Sequence, residues 1–443
     1  MTRLRADLAT WVNQRFFFGW IILAVAALGI FVSGPGQSHT IGVFFGPIAS
    51  ELDLSGGLAG QAMVWLGLGG AADLSRTVLS FAYGAATLVA AFLLPQMGRL
   101  VDKHGPRRML AVTTILLGLA CLAFAGAANV LWLTIGFGAL RFFGQGSLML
   151  NCANVVSRWF ASKRGFALSL MALGFAASMA AHPPLAQWLI DTVGWRQAWV
   201  WLGIITWLLM LPPVLLLIFN RPEEIGLRPD GEASPAQGDT PVQTEVPGLT
   251  LQQALRTPAF YIIAGGLSTM SMLVTALHVY QVSIFGAQGL SPQTASRMFA
   301  ISAVTMVVMM PLIGRLLDRV RTEFMFAGGL VIMTLSLLAA TQVTDLVTGA
   351  LYAMVFGLNN AVTMTYFSFL WPRYFGLRHL GRIQGMGQMI AVVGASLGPL
   401  PLGIAADLMG SYVPMLFGLA ILPAVWAVLA LGLRVPLQLA VER

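Results

Sequence analysis

The sequence predicts an all-α membrane protein with twelve transmembrane helices arranged as two six-helix parallel repeats. Of the 443 residues, 57% are hydrophobic and only 9% are charged, whereas soluble globular chains carry about 25% charged residues. The apolar runs are continuous rather than alternating, which favours helices over a β-barrel because backbone in lipid must satisfy its own hydrogen bonds. In addition, the second half of the chain repeats motifs of the first half.

The apolar segments define the predicted spans. The first six lie near residues 17–49, 77–98, 109–128, 130–156, 165–190 and 197–219, and the second six near 257–285, 295–314, 324–343, 347–371, 383–406 and 412–433. The segment between them, 220–256, is polar, charged and rich in proline, which is typical of a solvated linker. We therefore predict an N-terminal six-helix bundle at 1–219, a cytoplasmic linker at 220–256 and a C-terminal six-helix bundle at 257–443.

The repeat has a constant register. The motif GRLVDKHG at residue 98 corresponds to GRLLDRVR at residue 314, an offset of 216 positions. The same offset relates a second set of matching residues, namely Pro183, Asp191 and Gly194 to Pro399, Asp407 and Gly410. Because each half has an even number of spans, the halves share one orientation, and such parallel repeats place a binding site between them near the midplane.

Residues 56–75 interrupt this register. At the offset of 216, Ser75 corresponds to Ser291, so one half carries an extra apolar segment. If that segment does not cross the membrane, the basic loops share a face with the N-terminus, as the enrichment of cytoplasmic loops in Lys and Arg requires. We predict an outer-face insertion, cytoplasmic N- and C-termini and a multi-pass protein of the cell inner membrane. The sequence leaves two alternatives for the insertion: it covers the entrance of a cavity, or it has no role.

Enzyme and nucleic-acid functions find no support in the sequence. GASLG at 394–398 and GLGGAA at 67–72 fit loose catalytic and nucleotide-binding patterns, but neither lies in a strand-turn-helix context. Neither Lys103 nor Lys163 follows a glycine, which excludes a Walker A site. The net charge of +8 is dispersed over short loops rather than gathered on one basic surface. We expect no enzyme, no cofactor, no metal site and no nucleic-acid partner.

The motif GRLVDKHGPRR at 98–108 resembles the loop signature of the major facilitator superfamily. The resemblance implies the fold of that family and a cytoplasmic gate. The implied gating residues are Gly98, Asp102, Gly105, Arg107 and Arg108, with Asp318 in the second copy, which lacks the later glycine. The alternative is that these charges only orient the protein in the membrane.

Three further segments resemble the monocarboxylate porter and oxalate:formate antiporter branch of that superfamily. They are RWFASKRGFALSLMALG at 158–174, RPEEIGLRPDG at 221–231 and RYFGLRHLGRIQG at 373–385. The resemblance implies a secondary active transporter of a small organic anion that works by alternating access as a proton symporter or anion exchanger. We expect the protein to be a monomer. Two alternatives stay open: an exporter of amphipathic drugs or metabolites by proton antiport, and a non-transporting membrane sensor.

Charged and titratable residues inside the spans are few. No acidic residue lies at the centre of a predicted span, whereas Arg141 lies about twelve residues into the fourth span, near the midplane. A buried arginine at that depth costs at least about 2.5 kcal/mol, so it faces a wet cavity, an anion or neighbouring helices. His39, which the resemblance aligns with a substrate-site lysine, and His278 are candidates to sense substrate or protons.

Other residues complete the expected cavity. Tyr280, Asn359, Asn360 and Tyr366 are candidates to contact substrate, and Phe44, Phe45 and Trp371 to line the cavity, with helix packing as the alternative for each. Met306 and Met310 stand where the porters carry an Asp and Arg pair in the eighth span. Because methionine is apolar and adaptable, this departure favours a bulkier organic anion.

The predicted topology can be tested by accessibility. Cysteines placed at Gly67 and Ala233 should react with a membrane-impermeant thiol reagent from opposite faces, because the insertion lies outside and the linker inside. Labelling of intact cells and of inverted vesicles would measure this. Reaction of both cysteines from the cytoplasmic face would contradict the assignment.

Overall fold

A computed structural model describes residues 16–52, 54, 74–161, 163–231, 248–376 and 379–434. Within these ranges the regular elements are helical, apart from one isolated antiparallel bridge between Gly248 and Gly376. The α-helices are α1 (Gly19–Val32), α2 (Ser38–Glu51), α3 (Ser75–His104), α4 (Pro106–Ala125), α5 (Val130–Leu140), α6 (Met149–Trp159), α7 (Arg164–Met171), α8 (Leu173–Leu217), α9 (Leu251–Ala254), α10 (Pro258–Ala287), α11 (Pro292–Arg319), α12 (Thr322–Ala340), α13 (Leu346–Phe375), α14 (Leu380–Leu397), α15 (Pro399–Ile404) and α16 (Val413–Ala430).

The helices account for the predicted spans. Among the described residues, nine helices are long and apolar enough to cross a membrane. One of them runs through α7 and α8 and contains the fifth and sixth predicted spans. Gly194, which has a φ of 80°, lies between these two spans. That φ lies in the region that glycine adopts without a steric penalty, so the chain turns there. The predicted helical membrane fold is confirmed.

The first predicted span is broken in two. Helix α1 has 14 residues, about 21 Å at 1.5 Å per residue, which is too short for a hydrocarbon core of about 30 Å. A 3₁₀ turn at Gly34–Gly36 separates it from α2. Proline at the centre of this Gly-Pro-Gly sequence lacks a backbone donor and cannot continue the hydrogen-bond ladder of α1. Helices α1 and α2 must therefore act together as one span.

The fourth predicted span is also irregular. A π-helical segment, Arg141–Leu148, lies between α5 and α6. Segments of π-helix are uncommon and occur frequently at functional sites, because the wider turn redirects the side chains that follow. The sequence analysis placed Arg141 in this span but did not predict the local change of helix type.

The described contacts divide the chain into two compact units. Unit 1 comprises Met1–Ile41 and Val89–Val242, and unit 2 comprises Gly42–Leu88 and Gln243–Arg443. Two unit boundaries fall within α2 and α3, and the third, between Val242 and Gln243, falls within the predicted linker. The division into bundles at 1–219 and 257–443 stays a prediction.

The predicted insertion at 56–75 lies largely outside the described residues, but its ends are visible. The backbone N–H of Leu54 donates to the Ser75 hydroxyl at 3.4 Å. The chain therefore leaves and rejoins unit 2 at one place. The outer-face position of the insertion stays a prediction.

The ends of the predicted linker are structured where they are described. Short 3₁₀ turns form at Pro222–Ile225 and Pro229–Gly231, and Ile225 is buried. At the other end, α9 begins with a capping box in which Thr250 and Gln253 exchange hydrogen bonds. Residues 232–247, where the solvated linker is also predicted, lie outside the described residues.

Close packing at the break in the first span should be sensitive to a single methyl group. A Cβ at Gly36 would lie 2.3 Å from the Leu140 carbonyl oxygen and 2.8 Å from Gly144 Cα, both of which are backbone atoms. We expect Gly36→Ala to destabilise the protein by about 1–3 kcal/mol, as overpacking of a dense core does. The measurement is the thermal unfolding midpoint of the purified protein in detergent.

The matched control is Gly328→Ala in α12, where a Cβ would meet nothing within 4 Å. There alanine should leave the midpoint unchanged or raise it, because it is a better helix former than glycine. Equal midpoints for the two variants would contradict the close contact at Gly36.

Candidate functional site

In unit 1, a buried cation lies against the break in the first span. Arg141 is 4% exposed, and its Nη1 donates to the Gly36 carbonyl oxygen at 3.3 Å and to Ser38 Oγ at 3.1 Å. The Gly36 carbonyl oxygen can accept this bond because it lies in the 3₁₀ turn, where the hydrogen-bond ladder of α1 has ended. Ser38 offers its side-chain hydroxyl at the start of α2. Arg141 thus joins the fourth span to the 3₁₀ turn and to the first residue of α2.

Glycine allows this approach of the two spans. A Cβ on Gly144 would lie 2.8 Å from Gly36 Cα and 3.1 Å from the Ser33 carbonyl oxygen. The π-helical segment that begins at Arg141 contains this glycine, so the guanidinium and the close backbone contact belong to one local structure. Gly144 therefore has a packing role beside Arg141.

His39 lies beside the same break and shares a hydroxyl with a second histidine. Its Nε2 is 3.4 Å from Ser178 Oγ, and that oxygen is 3.2 Å from His182 Nδ1. The His39 ring also meets Phe175 edge-on with centroids 5.5 Å apart. Sequence analysis did not identify Ser178, although its spacing of four residues from His182 places both on one face of α8.

His182 has the packing contacts expected of a residue near a helix kink. Its ring lies 4.8 Å from the Phe31 ring, and a Cβ on Gly34 would come within 2.4 Å of it. We call Arg141, Ser38, His39, Ser178 and His182 the unit 1 polar site. It combines a permanent cation with two imidazoles and two hydroxyls, and it can therefore donate hydrogen bonds to an anion and exchange protons.

Unit 2 contains a separate set of buried polar groups on α10 and α13. Asn359 is 0% exposed, and within the described parts of the chain neither atom of its side-chain amide has a hydrogen-bond partner. Burying an amide without a partner costs about 1–3 kcal/mol. The neighbouring Asn360 differs, because its Nδ2 donates to the Phe356 carbonyl oxygen at 2.8 Å.

Two further buried polar groups, Gln281 and Tyr352, lie on the same two helices. Gln281 Nε2 donates to the Ala295 carbonyl oxygen at 3.0 Å, and Tyr352 donates to Gln281 Oε1 at 3.4 Å. The His278 ring lies 5.0 Å from the Phe356 ring, and Asn359 follows Phe356 by one helical turn. His278 thus contacts α13 at Phe356, one helical turn before Asn359.

Two tyrosines that are predicted to contact substrate form hydrogen bonds to neighbouring helices, near the ends of those helices. Tyr280 Oη lies 2.6 Å from Ser80 Oγ, in the first turns of α3. Tyr366 donates to the Met325 carbonyl oxygen in the first turn of α12. Both hydroxyls therefore hold helices together, and their predicted contact with substrate stays a prediction.

The aromatic residues expected to line a cavity are buried in unit 2. Phe45 packs edge-on against Tyr280 with ring centroids 5.6 Å apart, and Trp371 stacks on Phe375 at 5.9 Å. Phe44 is fully buried. These contacts are the packing expected of apolar aromatic side chains.

The predicted gating loop makes its contacts within unit 1. Asp102 lies 3.8 Å from Arg158 at the end of α6. Gly105 has a φ of 83°. Arg107, in the first turn of α4, donates its backbone N–H to Asn220 Oδ1 at 3.0 Å and its Nη2 to the Leu215 carbonyl oxygen at 2.8 Å. The sequence analysis did not identify Arg158 or Asn220 as partners of this loop.

The remaining predicted gating residues make fewer contacts. A Cβ on Gly98 would meet nothing within 4 Å, so this glycine is not required for a close helix contact in this conformation. Arg108 is exposed. The side chain of Asp318 lies outside the described residues. The gating roles stay predictions.

The comparisons with known proteins agree on the family. A family model described as Major Facilitator Superfamily matches residues 20–399 and 283–441 of this chain. The chain also resembles a crystal structure of a bacterial homologue of the human lysosomal transporter Spinster in an inward-facing, unoccupied conformation, with a TM-score of 0.68 over 94% of this chain and 96% of that chain. At 15% identity this likeness shows the fold alone.

The similar curated proteins include transporters with different names. Monocarboxylate transporter 11 of Homo sapiens is 29% identical over 43% of this chain and 36% of its own length. Monocarboxylate transporter 13 of Bos taurus is 26% identical over 73% of this chain and 72% of its own length. A multi-drug resistance efflux pump PmrA homolog of Lactococcus lactis is 28% identical over 34% of this chain and 37% of its own length.

The different environments of Asn359 and Asn360 predict opposite effects of the same substitution. Asn359→Leu should keep or raise the thermal midpoint, because it removes a buried amide that has no partner in the described structure. Asn360→Leu should lower the stability by about 1 kcal/mol through the lost hydrogen bond to Phe356. Equal losses in both variants would show that the Asn359 amide is satisfied in the folded protein.

Proposed function

Since the chain belongs to the Major Facilitator Superfamily and is a membrane transporter rather than an enzyme, we propose that its substrate is a small organic anion. Transport proceeds by alternating access, with proton symport or anion exchange as the coupling. The proposal includes a monomeric protein in the cell inner membrane with both termini in the cytoplasm.

The observation that carries this proposal is the buried charge of Arg141. The guanidinium is 4% exposed, and the oxygens of Gly36 and Ser38 that accept its hydrogen bonds are neutral. A guanidinium keeps its positive charge at physiological pH, so it attracts anions. A substrate carboxylate is complementary to it, because its two oxygens match the fork of N–H groups on arginine.

The names of similar proteins support the same substrate class. Two relatives with a monocarboxylate transporter name align with this chain, one of them over 73% of it. The chain departs from the porters at Met306, which is buried in unit 2, and at Met310. Two methionines in place of a charged pair favour an anion with a larger apolar part.

A second candidate function is proton-coupled export of amphipathic compounds. The methionines of the eighth span and the similarity to an efflux pump homolog favour it. The two functions differ in the charge of the substrate that Arg141 favours, because a buried cation disfavours cationic compounds. The charge of the best substrate therefore separates the two functions.

Counterflow in proteoliposomes can identify the substrate class. Purified protein should exchange labelled monocarboxylates of increasing chain length and should not exchange amphipathic cations. Saturable counterflow restricted to cations would contradict the anion proposal. Comparing counterflow with and without an imposed pH gradient distinguishes proton symport from anion exchange.

Arg141→Gln should lower kcat/KM for the best anion by about tenfold or more, because a charge-assisted hydrogen bond contributes about 1.5–3 kcal/mol. Arg141→Lys, which keeps the charge but loses the bidentate geometry, should retain part of the activity. The matched control is Arg228→Gln at an exposed position. Unchanged kcat/KM in correctly folded Arg141→Gln would assign the arginine to helix packing alone.

A further inference from the structure

A cavity of about 420 Å³, open to solvent, lies in unit 1 at the predicted cytoplasmic end, apart from the polar site around Arg141, and Arg164, Arg221 and Glu223 in its wall are exposed. It forms where the end of α6 meets the segment that follows α8. Three arginines and one carboxylate contribute to its wall, together with small and apolar residues: Arg158, Arg164, Arg221, Glu223, Ser157 and Pro229. Its volume is in the range of small-molecule sites.

The carboxylate of Asp230 stabilises one wall of this cavity by accepting hydrogen bonds from the loop between α6 and α7. Asp230 accepts hydrogen bonds from the backbone N–H of Ala161 at 2.9 Å and of Lys163 at 3.4 Å. Asp230 has a φ of 59°, which non-glycine residues rarely adopt and which the two hydrogen bonds stabilise. The motif at 221–231 is therefore folded back onto the loop between α6 and α7.

A second set of contacts fixes the same segment from the side of α8. Trp159 Nε1 donates to the Phe219 carbonyl oxygen at 3.3 Å, and Asn220 Nδ2 donates to Glu224 Oε1 at 2.9 Å. Glu224 is thereby engaged by Asn220. Of the two adjacent glutamates, Glu223 is the one that faces the cavity.

The charge of the cavity wall is unbalanced. Arg158 has Asp102 at 3.8 Å, but among the described residues no carboxylate lies within 4.0 Å of Arg164 or Arg221. Three guanidinium groups thus share the wall with one carboxylate. The contacts that build the segment use Asp230 and Glu224, so they leave this positive charge in place.

We propose that this cavity binds the phosphate group of an anionic compound, supplied by a phospholipid headgroup or by a soluble phosphate ester. Guanidinium groups bind phosphate oxygens in a bidentate manner, and several of them around one cavity match its charge. Basic groups next to the ends of membrane spans also attract anionic lipids. Glu223 opposes binding and limits the affinity of the site.

The test uses the full-length protein purified in a neutral detergent. Native mass spectrometry measures binding of phosphatidylglycerol, with zwitterionic phosphatidylcholine as the comparison lipid. Wild-type protein should bind phosphatidylglycerol in preference, and Arg164→Gln with Arg221→Gln should weaken that binding about tenfold or more. The matched control, Arg228→Gln, alters an exposed arginine of the same motif that does not line the cavity.

The source of the phosphate is identified by competition. Glycerol 3-phosphate and inorganic phosphate are added at increasing concentration, and their own binding is followed by the shift in thermal midpoint. Displacement of the lipid together with an arginine-dependent midpoint shift assigns the site to soluble phosphate compounds. Arginine-dependent lipid binding that these compounds do not displace assigns it to a headgroup.

Glu223→Gln provides a variant that keeps every arginine and should strengthen binding about twofold, because it removes an opposing charge. The proposal is overturned if the double arginine variant binds all the probes as wild type does, or if Arg228→Gln causes the same loss. Weaker binding by Glu223→Gln would overturn it as well, and this outcome does not depend on the folding of the double variant.

Discussion

The structure of unit 1 depends on a guanidinium placed beside a break in a helix. A carbonyl at membrane depth that leaves its helical ladder costs several kcal/mol unless it finds a donor. An arginine at the same depth costs at least about 2.5 kcal/mol unless it finds acceptors. The break offers hydrogen-bond acceptors and Arg141 offers donors, since Arg141 Nη1 donates to the Gly36 carbonyl oxygen and to Ser38 Oγ.

Backbone geometry brings these two features within hydrogen-bond distance. Gly36 and Gly144 meet without side chains, and a Cβ on either would overlap backbone of the other span. The π-helical segment begins at Arg141, so the wider turn and the buried cation occur at one point. His39 follows Ser38 directly, so the same junction that binds the guanidinium also directs the imidazole toward Ser178. Packing and charge in unit 1 are thus coupled through a few residues.

The sequence predicted features that depend on composition and spacing, and missed features that depend on contacts between distant segments. Continuous apolar runs predicted the spans, and the depth of Arg141 in its run marked it as a buried cation. The sequence Gly-Pro-Gly at residues 34–36 is typical of a break in a helix, but the apolar residues on both sides of it predicted one continuous span. Ser178 and Asp230 could not be identified, because their roles arise only when α8 meets His39 and when the 221–231 motif folds onto Ala161.

The chemistry of unit 1 also separates substrate charge from proton coupling. Arginine keeps its proton at any physiological pH, so Arg141 can attract an anion but cannot release a proton during a transport cycle. His39 contacts a hydroxyl that also contacts His182, so the two imidazoles lie on either side of one hydrogen-bonding group. Under the proposed function, proton symport would require a group that changes its protonation state, and these imidazoles are candidates for it. Anion exchange would require only the fixed charge of Arg141. A test of proton coupling therefore concerns His39 and His182, whereas a test of anion preference concerns Arg141.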